Sequence, residues 1–186
     1  MRREAPDPRF YTEVHDLNLE FLRLVREGRR GTQPVFGLDS GVADQLARLT
    51  AAQLEVAAAT PCLLAGAAQI RPSGPMGTMI SEPPLEAQER WQESSRVFLA
   101  SLMTYVWQTA RRDPLLAGLC AGRAHDWAAP LREAGFRELH VLCDSRHYGL
   151  RARFHGHPRF WQDLVSAARG GDPQRVHLAR MSGIQL

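Results

Sequence analysis

Fourteen residues near the middle of the chain, Arg71 to Pro84, contain four prolines and two glycines. That density removes amide donors and fixes φ where a helix or strand needs freedom. Regular structure must therefore be built on either side. The expected organisation is a helical unit over 1–70, a linker over 71–84 and a second helical unit over 85–186.

Before the linker, Asp7-Pro8 places a capping residue ahead of a proline at the first helical position. Val14, Leu17, Phe21, Leu24 and Val25 recur at helical spacing with Leu22 beside them, which predicts an amphipathic helix to about Gly28. Gly28-Arg29-Arg30-Gly31 and Pro34 break it. Asp39-Ser40 can cap a short second helix carrying Val42, Leu46 and Leu49. Thr50-Ala51-Ala52-Gln53 has the form of a capping box, so a third helix with Leu54 and Val56 starts there and ends at Pro61. Cys62 to Ile70 reads either as a short buried strand or as coil that fills the core.

After the linker comes the longest helix, about Leu85 to Arg112. Trp91, Phe98, Leu102, Tyr105 and Val106 form one stripe, and Val97, Leu99 and Trp107 widen it, so burial on more than one side is expected. Pro114 opens a short segment, Leu115 to Leu119, that Gly122 breaks. Another helix ends near Pro130 or Gly135, and Phe136 to about Ser145 is the next, with Leu139, Leu142 and Cys143 facing inward. Tyr148 to Phe154 alternates as a strand does. His157-Pro158 opens a helix with Trp161, Leu164, Ala167 and Ala168 on its apolar face, stopped by Gly170-Gly171. Asp172-Pro173 repeats the start signal for a last helix to about Met181. The fold class expected is mainly α, with one or two short strands.

All 23 basic residues are arginine. Lysine chemistry is thereby excluded: no Walker-A lysine, no Schiff base and no kinase-type nucleotide lysine. Arginine cannot replace it, because it stays protonated and presents a planar fork. The placement of charge is uneven. Met1 to Arg90 holds 10 arginines against 12 carboxylates, whereas Trp91 to Leu186 holds 13 against 8. Arg146 to Leu186 alone carries 7 arginines, 2 acids and 4 histidines. A basic tail on a near-neutral body suggests an anionic partner, nucleic acid above all, although arginines spread over a solvated surface give the same count. Three scattered cysteines do not form a disulfide framework, the first residues lack the apolar region of a signal peptide, and no apolar run approaches the roughly 18 residues of a membrane helix. A cytoplasmic protein without a membrane partner is expected.

Val14-His15-Asp16-Leu17-Asn18-Leu19-Glu20-Phe21-Leu22 resembles the first helix of the FlhD family of flagellar master regulators, whose Asp-(Ile/Leu)-Asn-Leu core is matched by Asp16, Leu17, Asn18 and Leu19. After a gap, Phe36 to Leu54 is similar to the second block of that family, with Leu38, Ala43, Leu46, Leu49, Thr50 and Gln53 in register. The likeness covers about residues 12–70. The family's disulfide cysteine is not carried over, because Ala65 stands near its place and Cys62 lies three residues early. The remaining length reads as a degenerate second copy: a long helix, then Leu116-Ala117-Gly118-Leu119, Leu131, Phe136-Arg137-Glu138-Leu139 and a closing Leu150-Arg151-Ala152-Arg153-Phe154. Because the family is homodimeric, a tandem duplication implies a single-chain pseudo-dimer.

The resemblance implies a transcriptional regulator subunit without a catalytic site, acting with an FlhC-like partner on promoter double-stranded DNA as a homo- or hetero-oligomer. Leu17, Leu19, Phe21, Leu46, Leu49 and Leu54 would build the dimer or pseudo-dimer core, and the stripe of Trp91, Phe98, Leu102 and Tyr105 would dock the partner. Arg146, Arg151, Arg153, Arg159, Arg175 and Arg180 are the candidate DNA contacts. On a strand, Arg151 and Arg153 would share one face, and such contacts position a protein on the phosphate backbone. The alternative is a helical interaction module that assembles or sequesters a regulatory partner without touching DNA.

Other constellations are weaker. His140, Cys143 and His147 can share a helical face, with Cys120 and His125 upstream, but structural zinc favours tighter pairs, and Cys143 reads better as a small core residue. No metal and no cofactor is expected. No nucleophile elbow, glycine-rich phosphate loop or His-Glu-x-x-His motif occurs in the sequence. His155-Gly156-His157 beside Arg159 reads equally as an anion site or a surface turn.

Overall fold

Helix starts are where the local chemistry puts them. In the computed structural model, which describes residues 8–28, 35–69, 85–121, 128–144 and 148–185, α1 runs Pro8–Gly28. The Asp39 carboxylate accepts from Gly41 N at 2.8 Å at the start of α2 (Ser40–Ala47). Thr50 and Gln53 make the reciprocal capping box of α3 (Ala51–Ala58), with Thr50 N donating to Gln53 Oε1 at 2.9 Å and Gln53 N to Thr50 Oγ1 at 3.3 Å. Next come β1 (Ala65–Gln69), α4 (Leu85–Arg112) and α5 (Pro114–Ala121), the last capped by Asp113 Oδ1, which accepts from Leu115 N and Leu116 N. The order continues with α6 (Ala128–Glu133), α7 (Phe136–Asp144), β2 (Tyr148–Ala152), α8 (Pro158–Gly170) and α9 (Pro173–Gln185). Gly171 closes α8 in the left-handed region at φ 69°, a conformation that favours glycine. The fold is mainly α with one small sheet among the described residues, as expected.

That sheet joins the two parts of the chain. β1 pairs antiparallel with β2, from Ala65 opposite Ala152 to Gln69 opposite Tyr148. The small side chains of β1 let α4 lie against both strands. The expected strand over Tyr148 to Phe154 stops two residues early. Phe154 takes φ 56°, its carbonyl accepts from His157 N at 2.8 Å, and residues 153–156 turn into α8.

The core likewise draws on both sides of the Pro/Gly stretch. The buried α1 residues Phe21, Leu22 and Val25 face α2, α3 and α4. The Phe21 ring stands 6.2 Å from Phe98 of α4 and 6.5 Å from Trp161 of α8. Trp91 Nε1 donates to Leu24 O at 2.9 Å, and its ring lies where a side chain on Gly28 would have to be. Buried residues of α8 and α9 complete the same apolar cluster. The units expected over 1–70 and 85–186 thus share one core and one sheet, so that boundary is not a division of the core; 71–84 itself lies outside the described residues.

This packing also relocates the expected interface. Leu19, Phe21, Leu46, Leu49, Leu54, Phe98 and Leu102 are buried within the chain, and Leu17, Trp91 and Tyr105 are half-buried against that core. Their apolar surface is covered by elements of the same molecule. The α4 stripe meets α1, the sheet and the short helices α5 to α7, so it is not a free docking face.

Candidate functional site

Segment 59–64 crosses the interior between α3 and β1 without regular structure, and its backbone polar groups need partners there. Asn18 supplies them from one side. Its side chain is 1% exposed, and Nδ2 donates to the carbonyls of Ala58 (3.1 Å), Thr60 (3.1 Å) and Cys62 (3.0 Å). Its Oδ1 accepts from Leu64 N at 2.7 Å. A primary amide carries donors and an acceptor at one tip, so a single side chain can brace both kinds of group.

Arg153 supplies partners from the other side. It is 5% exposed, and its NH1 donates to Leu63 O at 2.9 Å and to Cys120 O. Arg153 N donates to Leu64 O, and Arg153 O accepts from Trp161 Nε1 at 2.9 Å. The guanidinium lies 4.5 Å from the Phe154 ring centroid. Burial holds its pKa below the usual arginine value, and the neighbouring Cys62 and Cys120 thiols oppose that shift. A side chain spent on buried carbonyls cannot reach a phosphate, so the expectation that Arg153 contacts DNA is corrected. The alternation that paired it with Arg151 fails because the strand ends between them.

The other candidate arginines divide. Arg180 of α9, half-buried, donates through both Nε (3.0 Å) and NH2 to Val56 O, which ties α9 to α3. Arg151 is exposed, with Nε 3.2 Å from where a side chain on Gly37 would begin. Arg159 and Arg175 are exposed beside Asp163 and Asp172, each at 3.7 Å. Such contacts at the surface contribute little to stability. Arg146 lies outside the described residues, as do His125 and His147. The His140 ring rests against Phe136 at 4.8 Å, and no group of three or more metal-ligating side chains occurs among the described residues.

Sequence reasoning missed a cluster around Arg153. Cys62 and Cys120 are both buried, with the Cys62 thiol beside Arg153 and the Cys120 thiol beside the Tyr105 hydroxyl. Tyr105 Oη and Arg153 Nε are buried without a hydrogen-bond partner among the described residues. The four residues lie far apart in sequence, and no local pattern marks them as a group.

Burial raises the Cys120 thiol from its ordinary 9.0 to about 12, with nearby Cys62 adding to the shift. Burial likewise raises Cys62 and Tyr105. The folded state therefore holds these protons after the unfolded chain has lost them. The resulting stability is intact below pH 9 and drains away as pH climbs through about 12. Urea midpoints measured across that window should fall less steeply for Cys120→Ala than for the parent; identical slopes would remove Cys120 from the explanation.

The remaining feature is apolar and exposed. Leu115 and Leu119 lie one turn apart on α5, while Phe136 and Val141 project from α7; Leu115 and Val141 are 65% and 63% exposed. Beside Val141 is an open groove of about 560 Å³, with Ala134, Val141 and Leu142 in its lining and Glu133, Arg137 and Glu138 contributing charge. No family model, curated protein or solved structure matches the chain.

Proposed function

We propose that this chain is a regulatory binding subunit of the FlhD kind, and that it works by assembling with an FlhC-like protein through the exposed apolar faces of α5 and α7. The observation that carries this reading is the set of large apolar side chains left in solvent there, although α5 and α7 also bury Ala117, Cys120 and Leu139 against the core. Helices that are apolar on both faces leave a surface suited to a second protein. The groove next to Val141, apolar with a rim of both charges, fits an amphipathic partner helix with apolar anchors and charged flanks. A cytoplasmic location belongs to this reading; no described helix is long and apolar enough to cross a membrane.

The order of elements supports the pseudo-dimer part of the proposal. Long helix, short helices and strand occur twice, and the two strands pair antiparallel, as two copies related by a two-fold axis would. In that arrangement the dimer contacts of a two-chain relative become internal contacts, which accounts for the burial of Phe21, Phe98 and Leu102.

The test is co-purification with the FlhC-like subunit. Leu119→Asp combined with Val141→Asp should weaken capture by about tenfold or more, because both side chains are large apolar anchors. The far-UV spectrum and melting temperature should be unchanged, since both positions are exposed. Undiminished capture, or no complex with the parent chain, would overturn the reading. A second reading keeps promoter DNA as the partner, favoured by the exposed guanidiniums of Arg151, Arg159 and Arg175. Arg151→Glu with Arg159→Glu separates the two: the DNA reading requires a shallower salt dependence of promoter binding by the complex, and the interaction-module reading requires none.

A further inference from the structure

The binding surface makes no use of the buried thiols, and their setting is unusual for inert core cysteines. Leu63 N donates to Cys120 O at 3.1 Å, so the backbone following Cys62 runs directly beside Cys120. Arg153 NH1 then closes across Leu63 O and Cys120 O. These bonds set the backbones at Cys62 and Cys120 side by side, and the Cys62 thiol is near enough to add to the raised pKa of Cys120. Around them stand two polar groups without hydrogen-bond partners among the described residues, Arg153 Nε and Tyr105 Oη.

Over Cys62 lies α9. A Cβ on Gly183 would come within 3.0 Å of Cys62 Sγ and 3.1 Å of the Phe160 ring, so the helix approaches closely only because that residue is glycine. The residues α9 buries are small, Val176, Ala179 and Gly183, helped by the Arg180 bond to Val56 O. Its larger apolar side chains, Leu178, Met181 and Ile184, are exposed rather than buried, so α9 is the element expected to open at low cost.

We propose that Cys62 and Cys120 are a redox-modification site: with α9 lifted, they oxidise to an intramolecular disulfide by exchange with a low-molecular-weight disulfide such as oxidised glutathione. The Cys62 thiol loses its proton and attacks one sulfur of the oxidant. Its S–S bond breaks, a mixed disulfide forms on Cys62, and one small thiol leaves. The Cys120 thiolate next attacks the Cys62 sulfur, which forms the Cys62–Cys120 bond and releases the second small thiol. The two cysteine protons end on the two released thiols, and two electrons pass from the cysteine pair to the oxidant. With α9 seated, both thiols are buried and protonated, so exchange is gated by its opening. The product covalently links the segment before β1 to the end of α5, the same junction that Arg153 bridges.

The experiment uses the full chain with Cys143→Ser, which leaves Cys62 and Cys120 as the only thiols. The folded protein is incubated with oxidised glutathione, alkylated, digested without reduction and mapped by mass spectrometry. The expected product is a Cys62–Cys120 cross-linked peptide from monomeric protein, accompanied by a higher urea midpoint. Gly183→Val, which crowds Cys62 and unseats α9, should form it about tenfold faster. If that variant does not fold, the parent's own rate decides: oxidation must proceed without urea, at conditions where the folded signal is retained. Full alkylation of both cysteines, disulfides only between chains, or bridging seen only in urea would overturn the proposal.

Discussion

Replacing Asn18 with alanine is expected to lower stability by about 4 kcal/mol, among the largest effects of any single substitution in this chain. The change leaves Leu64 N and three carbonyls, those of Ala58, Thr60 and Cys62, without the side chain that satisfies them. Water cannot easily replace it, because Asn18 and its surroundings are buried. Each buried group left unpaired costs about 1–3 kcal/mol, with partial relief as the segment relaxes. Two further variants separate hydrogen bonding from packing. Asn18→Leu restores volume and should remain nearly as unstable as alanine. Asn18→Asp keeps the acceptor for Leu64 N but turns a second oxygen toward three carbonyls, so it should be no better. Equilibrium urea denaturation followed by tryptophan fluorescence measures all three; a leucine variant as stable as the parent would show that packing, not polarity, is what Asn18 contributes.

The same residue shows how far the sequence could be read. Asn18 stood inside the short block that resembles the FlhD first helix, yet nothing local said what a polar residue was doing on an apolar face. Its partners lie 40 to 46 positions away. Helices were legible because their signals are local: the stripe of α1, the capping box at Thr50 and Gln53, and the proline starts of α5, α8 and α9. Whether Cys62 to Ile70 holds a strand or coil is not legible, because Ala65-Gly66-Ala67-Ala68 has no alternation to read. The charged sites were least legible. Alternation places Arg151 and Arg153 together, but the strand ends at Ala152 and Arg153 is buried. Similarly, helical spacing cannot tell that Arg180 lies over Val56 O or that the α4 stripe is already covered.

Arg153→Ala is the second large expected effect, about 3 kcal/mol of lost stability. It opens a cavity between α5 and the segment before β1, and it leaves Leu63 O without its side-chain donor. Cys120 O keeps one partner, Leu63 N, which limits the loss. Against this stands a gain, since a guanidinium bonded to backbone carbonyls is costly to bury. Arg153→Met refills the volume and removes the charge, so it should cost about 1 kcal/mol rather than 3. A phosphate-contacting arginine would behave otherwise, changing affinity and leaving stability alone.

That contrast gives the most direct test of the central claim, that Arg153 belongs to the junction uniting the two parts of the chain. Urea midpoints of Arg151→Ala and Arg153→Ala should be measured side by side. Arg151 is exposed on β2, and its removal should change stability by less than about 0.5 kcal/mol. Arg153→Ala should be less stable by about 3 kcal/mol and should still unfold in one transition. Equal midpoints for the two variants, both close to the parent, would contradict the claim.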